Sequence, residues 1–202
     1  MKPILIFFNG PPRCGKDTAV GQALALFADK DIRVTQCEFK APLRNMAIAL
    51  SNLNHAEATH IEYCGDKDAP EKLIPHNRSW RQWLIHISEN VMKPMFGPDV
   101  FGELMLRHIQ ELALNYAAPQ VICFSDCGFE PELNVLHTAG YDCVLIRMHR
   151  AGCDFSNDSR NFVYLNGVYS VDMFNNGDIA ALYDKIDTVY NNFLEYRSIH
   201  DV

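Results

Sequence analysis

The chain has 202 residues, of which 48% are hydrophobic, and its formal net charge is −7. This length and composition predict one well-buried domain spanning residues 1–202. The acidic balance argues against a broad nucleic-acid-binding surface, which needs clustered Lys and Arg, and the lack of an apolar run of about 18 residues argues against a membrane span.

Strand-like and helix-like segments alternate along the chain. Strands are predicted at Ile4–Phe8, Arg33–Phe39, Gln120–Phe124, Tyr141–Met148 and, more weakly, Val168–Met173. Helices are predicted at Thr18–Ala28, Pro42–Leu50, Ser79–Lys93, Val100–Ala117, Glu130–Ala139 and Ile179–Tyr196, and the polar segment 51–78 is expected to be a loop or a short insert. This alternation is typical of a parallel sheet with helices on both faces, and such sheets bind ligands at the carboxyl ends of their strands.

The first strand-to-helix junction has the sequence Gly10-Pro11-Pro12-Arg13-Cys14-Gly15-Lys16-Asp17-Thr18. The pattern Gly-x-x-x-x-Gly-Lys at such a junction indicates a phosphate-binding loop, in which backbone N–H groups and the helix N-terminus face the phosphate oxygens. Lys16 would supply a positive charge to the β- and γ-phosphates. We therefore expect a nucleotide to be bound by Gly10, Pro12, Arg13, Cys14, Gly15, Lys16, Asp17 and Thr18.

The Mg²⁺ ligand is less clear, because Asp17 stands where the general motif has a Ser or Thr hydroxyl. Thr18 follows one residue late. Asp126 lies at the end of the third predicted strand, where an acid can hold Mg²⁺ through water. Asp17, Thr18 and Asp126 are therefore alternative metal ligands.

Basic residues surround the starts of two predicted helices. Lys40 and Arg44 lie at the start of the helix near Pro42, where a second phosphate group or simply solvent would satisfy them. Arg78 and Arg81 surround the start of the next helix, where a cation opposes the helix dipole unless an anion lies nearby. We expect these four residues to bind a phosphorylated substrate.

Three arginines lie at or after the end of the fourth predicted strand: Arg147, Arg150 and Arg160. Positive charge on a strand end and on a loop stabilises a transferring phosphoryl group, and ion pairs with Asp154 or Asp158 are the structural alternative.

Other aromatic and polar side chains are candidates for base binding. Trp80 could stack on a base, and Asn176, in a turn before the last helix, could border an adenine pocket.

These motifs resemble, in order and over nearly the whole chain, those of the P-loop deoxynucleoside monophosphate kinases of tailed bacteriophages. The resemblance is carried by Gly-Lys-Asp-Thr at 15–18, Phe-Lys-Ala-Pro-Leu-Arg at 39–44, Lys-Asp-Ala-Pro at 67–70, Arg81, Phe-Gly-Pro-Asp at 96–99, Ser-Asp-Cys-Gly-Phe at 125–129 and Asn-Asn-Gly at 175–177. It implies a three-layer α/β/α P-loop kinase fold with a five-stranded parallel sheet, a helical acceptor-binding region at about 40–98 and a lid loop at about 150–166.

The resemblance also implies an activity, the ATP- and Mg²⁺-dependent phosphorylation of a deoxynucleoside 5′-monophosphate to the diphosphate. It assigns Lys16 to the ATP phosphates, Arg44 and Arg81 to the acceptor phosphate, and Arg150 and Arg160 to the lid. Some relatives have Asp-x-Arg where this chain has Asp126-Cys127-Gly128. An arginine contact is therefore missing at position 128, and Arg147 or Arg150 are the candidates to compensate.

Two other functions are compatible with the same motifs. One is a P-loop kinase of another small phosphorylated metabolite, and the other is a non-kinase P-loop protein that uses a nucleoside triphosphate for regulation. The seven cysteines include no Cys-x-x-Cys pair, which favours reduced thiols over a zinc site. We expect a cytoplasmic protein (host cytoplasm if a phage encodes it) without nucleic-acid or membrane partners, and the resemblance is compatible with a homodimer.

Overall fold

The computed structural model describes residues 2–114, 118–156, 158 and 160–200. Five strands form one parallel sheet: β1 (Ile4–Asn9), β2 (Val34–Gln36), β3 (Val121–Phe124), β4 (Cys143–His149) and β5 (Tyr169–Phe174). Their order across the sheet is β2-β3-β1-β4-β5, so β1 is the central strand. Because all strands are parallel, their carboxyl ends meet at one edge of the sheet.

Within the described residues, the strands alternate with eight α-helices. These are α1 (Lys16–Asp29), α2 (Lys40–Ala49), α3 (His55–Tyr63), α4 (Trp80–Ile87), α5 (Lys93–Phe96), α6 (Val100–Ala113), α7 (Glu130–Thr138) and α8 (Ile179–His200). Helices α1 and α8 cover one face of the sheet, and α6 and α7 cover the other. This three-layer α/β/α arrangement confirms the predicted fold class and is consistent with a P-loop kinase fold.

The central strand explains why the sheet needs helices on both faces. Side chains alternate along a strand, so Ile4, Ile6 and Phe8 pack towards α1 and α8. Leu5 and Phe7 pack towards α6 and α7. All of these are buried, as expected for a strand that is apolar on both sides.

The second strand is shorter than predicted. Its pairing ends at Gln36, and the chain turns at Cys37 and Glu38 into α2. The backbone N–H groups of Phe39 and Lys40 donate to the carboxylate of Asp126, at 3.1 and 2.9 Å. This tertiary contact holds residues 39 and 40 at a helix start, although Phe39 was predicted as the last residue of the strand.

The expectation that segment 51–78 is a loop or a short insert was wrong in part, because α3 lies within it. Asn54 caps this helix by accepting from the Glu57 N–H at 3.0 Å, and the Glu57 side chain accepts from the Asn54 N–H at 2.8 Å. This reciprocal capping box is visible in the sequence as Asn-x-x-Glu. The helix was missed because it buries little apolar surface, with Ala58 its one fully buried residue.

The remaining helices differ from prediction mainly at their ends. The predicted helix Ser79–Lys93 is divided into α4, a π-helical turn at Ser88–Met92, and α5. The predicted helix Val100–Ala117 is observed as α6, and its residues 115–117 lie outside the described part of the chain. No helix of the described residues has both the length and the apolar character that crossing a bilayer requires.

Residues 40–98 contain a hydrophobic cluster of their own. Its buried members are Ala47, Ile48, Leu53, Ala58, Ile74, Trp80, Trp83 and Ile87. Trp80 is fully buried there, so the suggestion that it stacks on a base was wrong. The indole of Trp83 is also committed to packing, and its Nε1 donates to the Ala47 carbonyl at 3.0 Å.

We predict that Phe124→Ala strongly destabilises the fold. The Phe124 ring contacts the rings of Phe7 and Phe39, at centroid distances of 4.9 and 5.1 Å, in the core near the edge of the sheet where the carboxyl ends of the strands meet. Truncating a buried Phe costs about 3–5 kcal/mol in the free energy of unfolding. Urea denaturation followed by tryptophan fluorescence measures this, with Met95→Ala, at a 69% exposed position, as a control that changes stability by less than about 0.5 kcal/mol. Equal effects of the two substitutions would contradict the packing described here.

Candidate functional site

The loop between β1 and α1 is held in place by the residue that follows β5. Asn175 follows β5 and is buried, and its Nδ2 donates to the Cys14 carbonyl at 2.9 Å. Gly15 has a φ of +100°, and a Cβ there would lie 2.4 Å from Asn175 Nδ2. Only glycine therefore fits at position 15, both for its backbone conformation and for this close approach.

The start of α1 is suited to bind an anion. No side chain among the described residues caps its N-terminus, so the amide groups of its first turn face outwards with the positive end of the helix dipole. Lys16 Nζ donates to the carbonyls of Gly10 and Pro11, both at 2.7 Å. Burial lowers the pKa of Lys16, and the nearby Arg160 charge adds to this effect. A phosphate group would replace these neutral carbonyl partners with an anionic one.

The other predicted loop residues differ in exposure. Pro12 and Arg13 are exposed at the loop tip, with Arg13 in the left-handed region at a φ of +65°. Cys14 is fully buried, and burial raises the pKa of its thiol. Asp17 and Thr18 are exposed on the first turn of α1.

Asp126, a predicted metal ligand, also forms hydrogen bonds that stabilise the fold. Its two carboxylate oxygens accept from the Phe39 and Lys40 amides, so the residue joins the end of β3 to the start of α2. Burial raises its pKa, although the two amides and the Lys40 charge oppose that shift. Each oxygen retains a lone pair that is free to accept from a metal-bound water.

The residues present fit a nucleotide-bound Mg²⁺ ion better than a dedicated metal cage. Among the described residues, no group of three or more His, Cys, Asp or Glu side chains is placed to hold a metal. Mg²⁺ in nucleotide sites keeps several waters and uses one or two carboxylates together with the substrate phosphates. Asp17, which lines the side towards α2, Asp126, which is bonded to the start of α2, and Thr18, exposed on the first turn of α1, provide oxygen atoms of that kind.

A cleft of about 920 Å³ opens on this side of the phosphate loop. It lies between Asp17, the end of β2, α2, the end of α3 and α6. Its polar lining comprises Asp17, Gln36, Glu38, Lys40, Asn45, Glu62, Tyr63, Lys67 and His108. A cleft of this size accepts a nucleotide or a smaller metabolite.

Two of the predicted substrate-binding residues form a charge network in this cleft. Arg44 donates to Glu62 and to Glu38, at 2.7 Å each, and to the hydroxyl of Tyr63 at 2.8 Å. Lys40 Nζ lies 2.9 Å from Glu62. Burial alone would raise the pKa of Glu62, but the hydrogen bonds from Arg44 and Lys40 outweigh it and lower that pKa. Both cations are thus paired with carboxylates that the sequence analysis did not identify.

Arg78 and Arg81 do not lie together, although they are close in sequence. The guanidinium of Arg78 lies 5.8 Å from the Trp83 ring centroid and packs on the helical cluster. Arg81 is exposed and donates to Asp68 at 2.6 Å, and its backbone N–H donates to the Lys67 carbonyl. The fold therefore brings the Lys67–Pro70 motif beside Arg81 at the mouth of the cleft.

A second pocket, of about 390 Å³, lies on the opposite side of the phosphate loop. Its walls include Pro11, Arg150 and Asn176, together with the aromatic rings of His149, Phe155, Phe162 and Phe174. The His149 ring lies 4.4 Å from Phe162 and 5.0 Å from Phe174, between centroids. Asn176 accepts from the Ala151 N–H at 3.0 Å and so positions the loop after β4. Flat aromatic walls of this kind suit a nucleobase.

The three arginines near β4 have different surroundings. Arg147 is buried against Tyr164 and forms two hydrogen bonds to Asp172, at 3.0 and 2.9 Å, on the neighbouring strand. Arg150 is exposed at the second pocket. Arg160 pairs with Asp158, which was the structural alternative, yet its side chain also lies across Gly128. Of the three, Arg160 is the one placed near both Lys16 and Asp126.

Glu132, in the first turn of α7, is a buried acid near this site that the sequence analysis did not identify as a candidate. It is 4% exposed, and burial raises its pKa to about 8. The charges of Lys93 and Arg160 oppose this rise, and those of Asp126 and Glu89 reinforce it. A carboxyl group that is protonated near neutral pH is therefore expected beside the strand end that carries Asp126.

Comparisons with known proteins provide no family assignment. No family model matches the chain, and no curated protein matches it. Among solved structures, a protein of Chloroflexus aurantiacus described as a candidate kinase is 14% identical over 93% of this chain and 98% of its own, with a TM-score of 0.45. An unliganded sugar kinase from a Janibacter species is 11% identical over 95% of each chain, with a TM-score of 0.44.

We predict that Glu132→Gln changes how stability depends on pH. The folded protein keeps a proton on Glu132 between its ordinary pKa of 4.5 and the raised value of about 8, whereas the unfolded chain releases it. The wild type therefore loses stability as pH rises through this window. Relative to the wild type, Glu132→Gln should gain about 1–3 kcal/mol in the free energy of unfolding at pH 8 and little near pH 4.5.

Urea unfolding at pH 5, 6.5 and 8 measures this difference. The matched control is Glu130→Gln, because Glu130 lies in the same helical turn but is exposed. Parallel pH profiles for Glu132→Gln and the wild type would contradict a raised pKa at Glu132.

Proposed function

We propose that this protein is an ATP-dependent phosphotransferase that phosphorylates a deoxynucleoside 5′-monophosphate to the diphosphate. The observation that carries the proposal is the position of the phosphate loop between two pockets. Pro11 lines the aromatic pocket on one side of the loop, and Asp17 lines the larger polar cleft on the other. A donor nucleotide and an acceptor in these pockets would meet at Lys16, as phosphoryl transfer requires.

The donor side is supported by the loop and the aromatic pocket together. The adenine ring would lie among His149, Phe162 and Phe174, with Arg150 and Asn176 at its edge. The triphosphate would follow the loop, where the first-turn amides of α1 and Lys16 bind its oxygens. Mg²⁺ would neutralise charge on the β- and γ-phosphates, and Asp17, Thr18 and Asp126 would hold its water shell.

The acceptor side is supported by the basic residues of the cleft. Lys67 is exposed there and forms no ion pair within 4 Å in the described part of the chain, so it is available to an anion. Lys40 and Arg44 would exchange Glu38 and Glu62 for a phosphate, and Arg81 would act at the cleft mouth.

In the transfer, the bond from the γ-phosphorus to its β–γ bridging oxygen breaks, and an acceptor phosphate oxygen forms the new bond. ADP leaves, and no proton transfer is required because the attacking oxygen is already anionic.

The charge of the cleft lining favours a second candidate, a kinase whose acceptor is a neutral hydroxyl compound. Asp17, Glu38 and Glu62 line the cleft, against Lys40 and Lys67. With the Arg44 guanidinium, which is bonded to Glu38 and Glu62, three carboxylates face three cations, so the cleft has no net positive charge to attract a dianion. In this candidate, Glu38 would accept the proton of the attacking hydroxyl group, which the first candidate does not need.

We predict that the wild type forms ADP and a deoxynucleoside diphosphate from ATP, Mg²⁺ and at least one deoxynucleoside monophosphate. Anion-exchange chromatography of the nucleotides after incubation measures both products, with the four deoxynucleosides as parallel acceptors. Lys16→Ala should lower kcat at least about 100-fold, since it removes a charge next to the transferring group. Transfer to deoxynucleosides alone would favour the second candidate, and transfer to neither set would refute the first.

We predict that Lys67→Ala weakens acceptor binding selectively. Loss of a free charge in the acceptor cleft should raise the acceptor KM about tenfold and leave the ATP KM within about twofold. Steady-state kinetics with each substrate varied in turn separates the two values. Lys72→Ala is the matched control, because Lys72 is an exposed lysine of the same segment that does not line the cleft. Equal shifts in both variants would exclude Lys67 from the acceptor site.

A further inference from the structure

One buried amide joins the central strand to the segment that carries Arg160. Asn9, the last residue of β1, is 1% exposed. Its Nδ2 donates to the carbonyls of Cys127 and Asn161, at 3.1 and 3.2 Å, and its Oδ1 accepts from the Val163 N–H at 2.9 Å. These three bonds fix the loop after β3 and the segment 161–163 against each other. Breaking them would leave buried polar groups without partners, so the arrangement is rigid.

Gly128 provides the surface on which the Arg160 side chain lies. A Cβ at position 128 would be 2.4 Å from Cδ, 2.7 Å from Cγ and 3.1 Å from Cβ of Arg160. The aliphatic part of the arginine therefore occupies the space that any side chain at position 128 would need. Any other residue at this position would displace Arg160.

Asp158 orients the guanidinium group at the far end of this path. Arg160 Nε donates to Asp158 Oδ1 at 2.8 Å, and Nη2 donates to the second oxygen. Arg160 lowers the pKa of Asp158, and the charge of Lys16 adds a smaller contribution in the same direction. Asp158 raises the pKa of Arg160, and the charge of Asp126 adds a smaller contribution in the same direction. The Arg160–Asp158 pair is therefore within electrostatic range of both Lys16 and Asp126.

We propose that Gly128 and Asn9 are positioning residues that hold the Arg160 side chain beside the loop after β3, where its charge can act in phosphoryl transfer. The proposal rests on the proposed function, because the charge would stabilise the transferring phosphoryl group. Of the other two arginines near β4, Arg147 is committed to Asp172 on β5. Arg150 is exposed at the aromatic pocket.

The first experiment moves the arginine from one position to the other. Arg160→Ala should lower kcat about 100-fold or more, and Gly128→Ala about tenfold, with a rise of up to about tenfold in the ATP KM and little change in the acceptor KM. The double variant Arg160→Ala with Gly128→Arg should recover at least about tenfold of the lost kcat, because Gly128 has no positive φ that would exclude a side chain. Gly21→Ala is the matched control, since a Cβ there meets nothing within 4 Å, and it should retain wild-type activity.

Asn9→Asp tests the role of the three hydrogen bonds that Asn9 forms. The aspartate still accepts from Val163 but donates to neither carbonyl, so kcat should fall about as far as in Gly128→Ala. If this variant fails to fold, Gly128→Ala and the double variant decide the question. Unchanged kcat in Gly128→Ala, or no recovery in the double variant, would overturn the proposal.

A second readout separates this proposal from the proposed function. Binding of inorganic tripolyphosphate, measured by isothermal titration calorimetry, needs no acceptor. Its Kd should rise about tenfold in Arg160→Ala and in Gly128→Ala and should recover in the double variant. If the wild type phosphorylates no acceptor, the proposed function fails, and these binding changes still support the placement of Arg160. If the wild type is an active kinase and all variants bind tripolyphosphate equally, the positioning role fails alone.

Discussion

Two buried asparagine side chains determine where the loops of the site lie. Asn9 ends the central strand and binds three backbone groups of two different loops, and Asn175 ends β5 and supports the phosphate loop through the Cys14 carbonyl. Without these hydrogen bonds, the packing of strands and helices would allow the loops several conformations. Because a buried amide without partners is costly, each asparagine makes one loop arrangement much more favourable than the others.

Three cations of the candidate site, Lys16, Arg44 and Arg160, each have a partner within the protein. Lys16 donates to loop carbonyls, Arg44 to Glu38 and Glu62, and Arg160 to Asp158. Anion binding at these three residues would therefore be an exchange of partners, whereas Lys67 would bind an anion directly. Such an exchange lowers the affinity for simple anions and favours ligands whose oxygens replace several hydrogen bonds together.

The sheet and the position of the loop between β1 and α1 were predictable because their signals are local, and phosphate binding by that loop stays a prediction. Apolar runs such as Ile4–Phe8 and the loop sequence from Gly10 to Lys16 reflect backbone requirements within about ten residues. The signal for α3 was also local, in the Asn54 and Glu57 capping box, but its weak apolar periodicity concealed it. The early end of β2 had no local signal, because Asp126, distant in sequence, draws Phe39 and Lys40 into a helix.

The sequence by itself determined the order of the five strands and of the helices that pack on the sheet, and it predicted the loop between β1 and α1, since these follow from periodicity and from glycine and lysine spacing. Only the tertiary structure decided which charges meet. It paired Arg44 with Glu62 and Arg147 with Asp172, it buried Trp80, and it laid Arg160 across Gly128. These contacts join residues from separate loops and helices, and their geometry depends on how the helices pack on the sheet, which residue spacing does not encode.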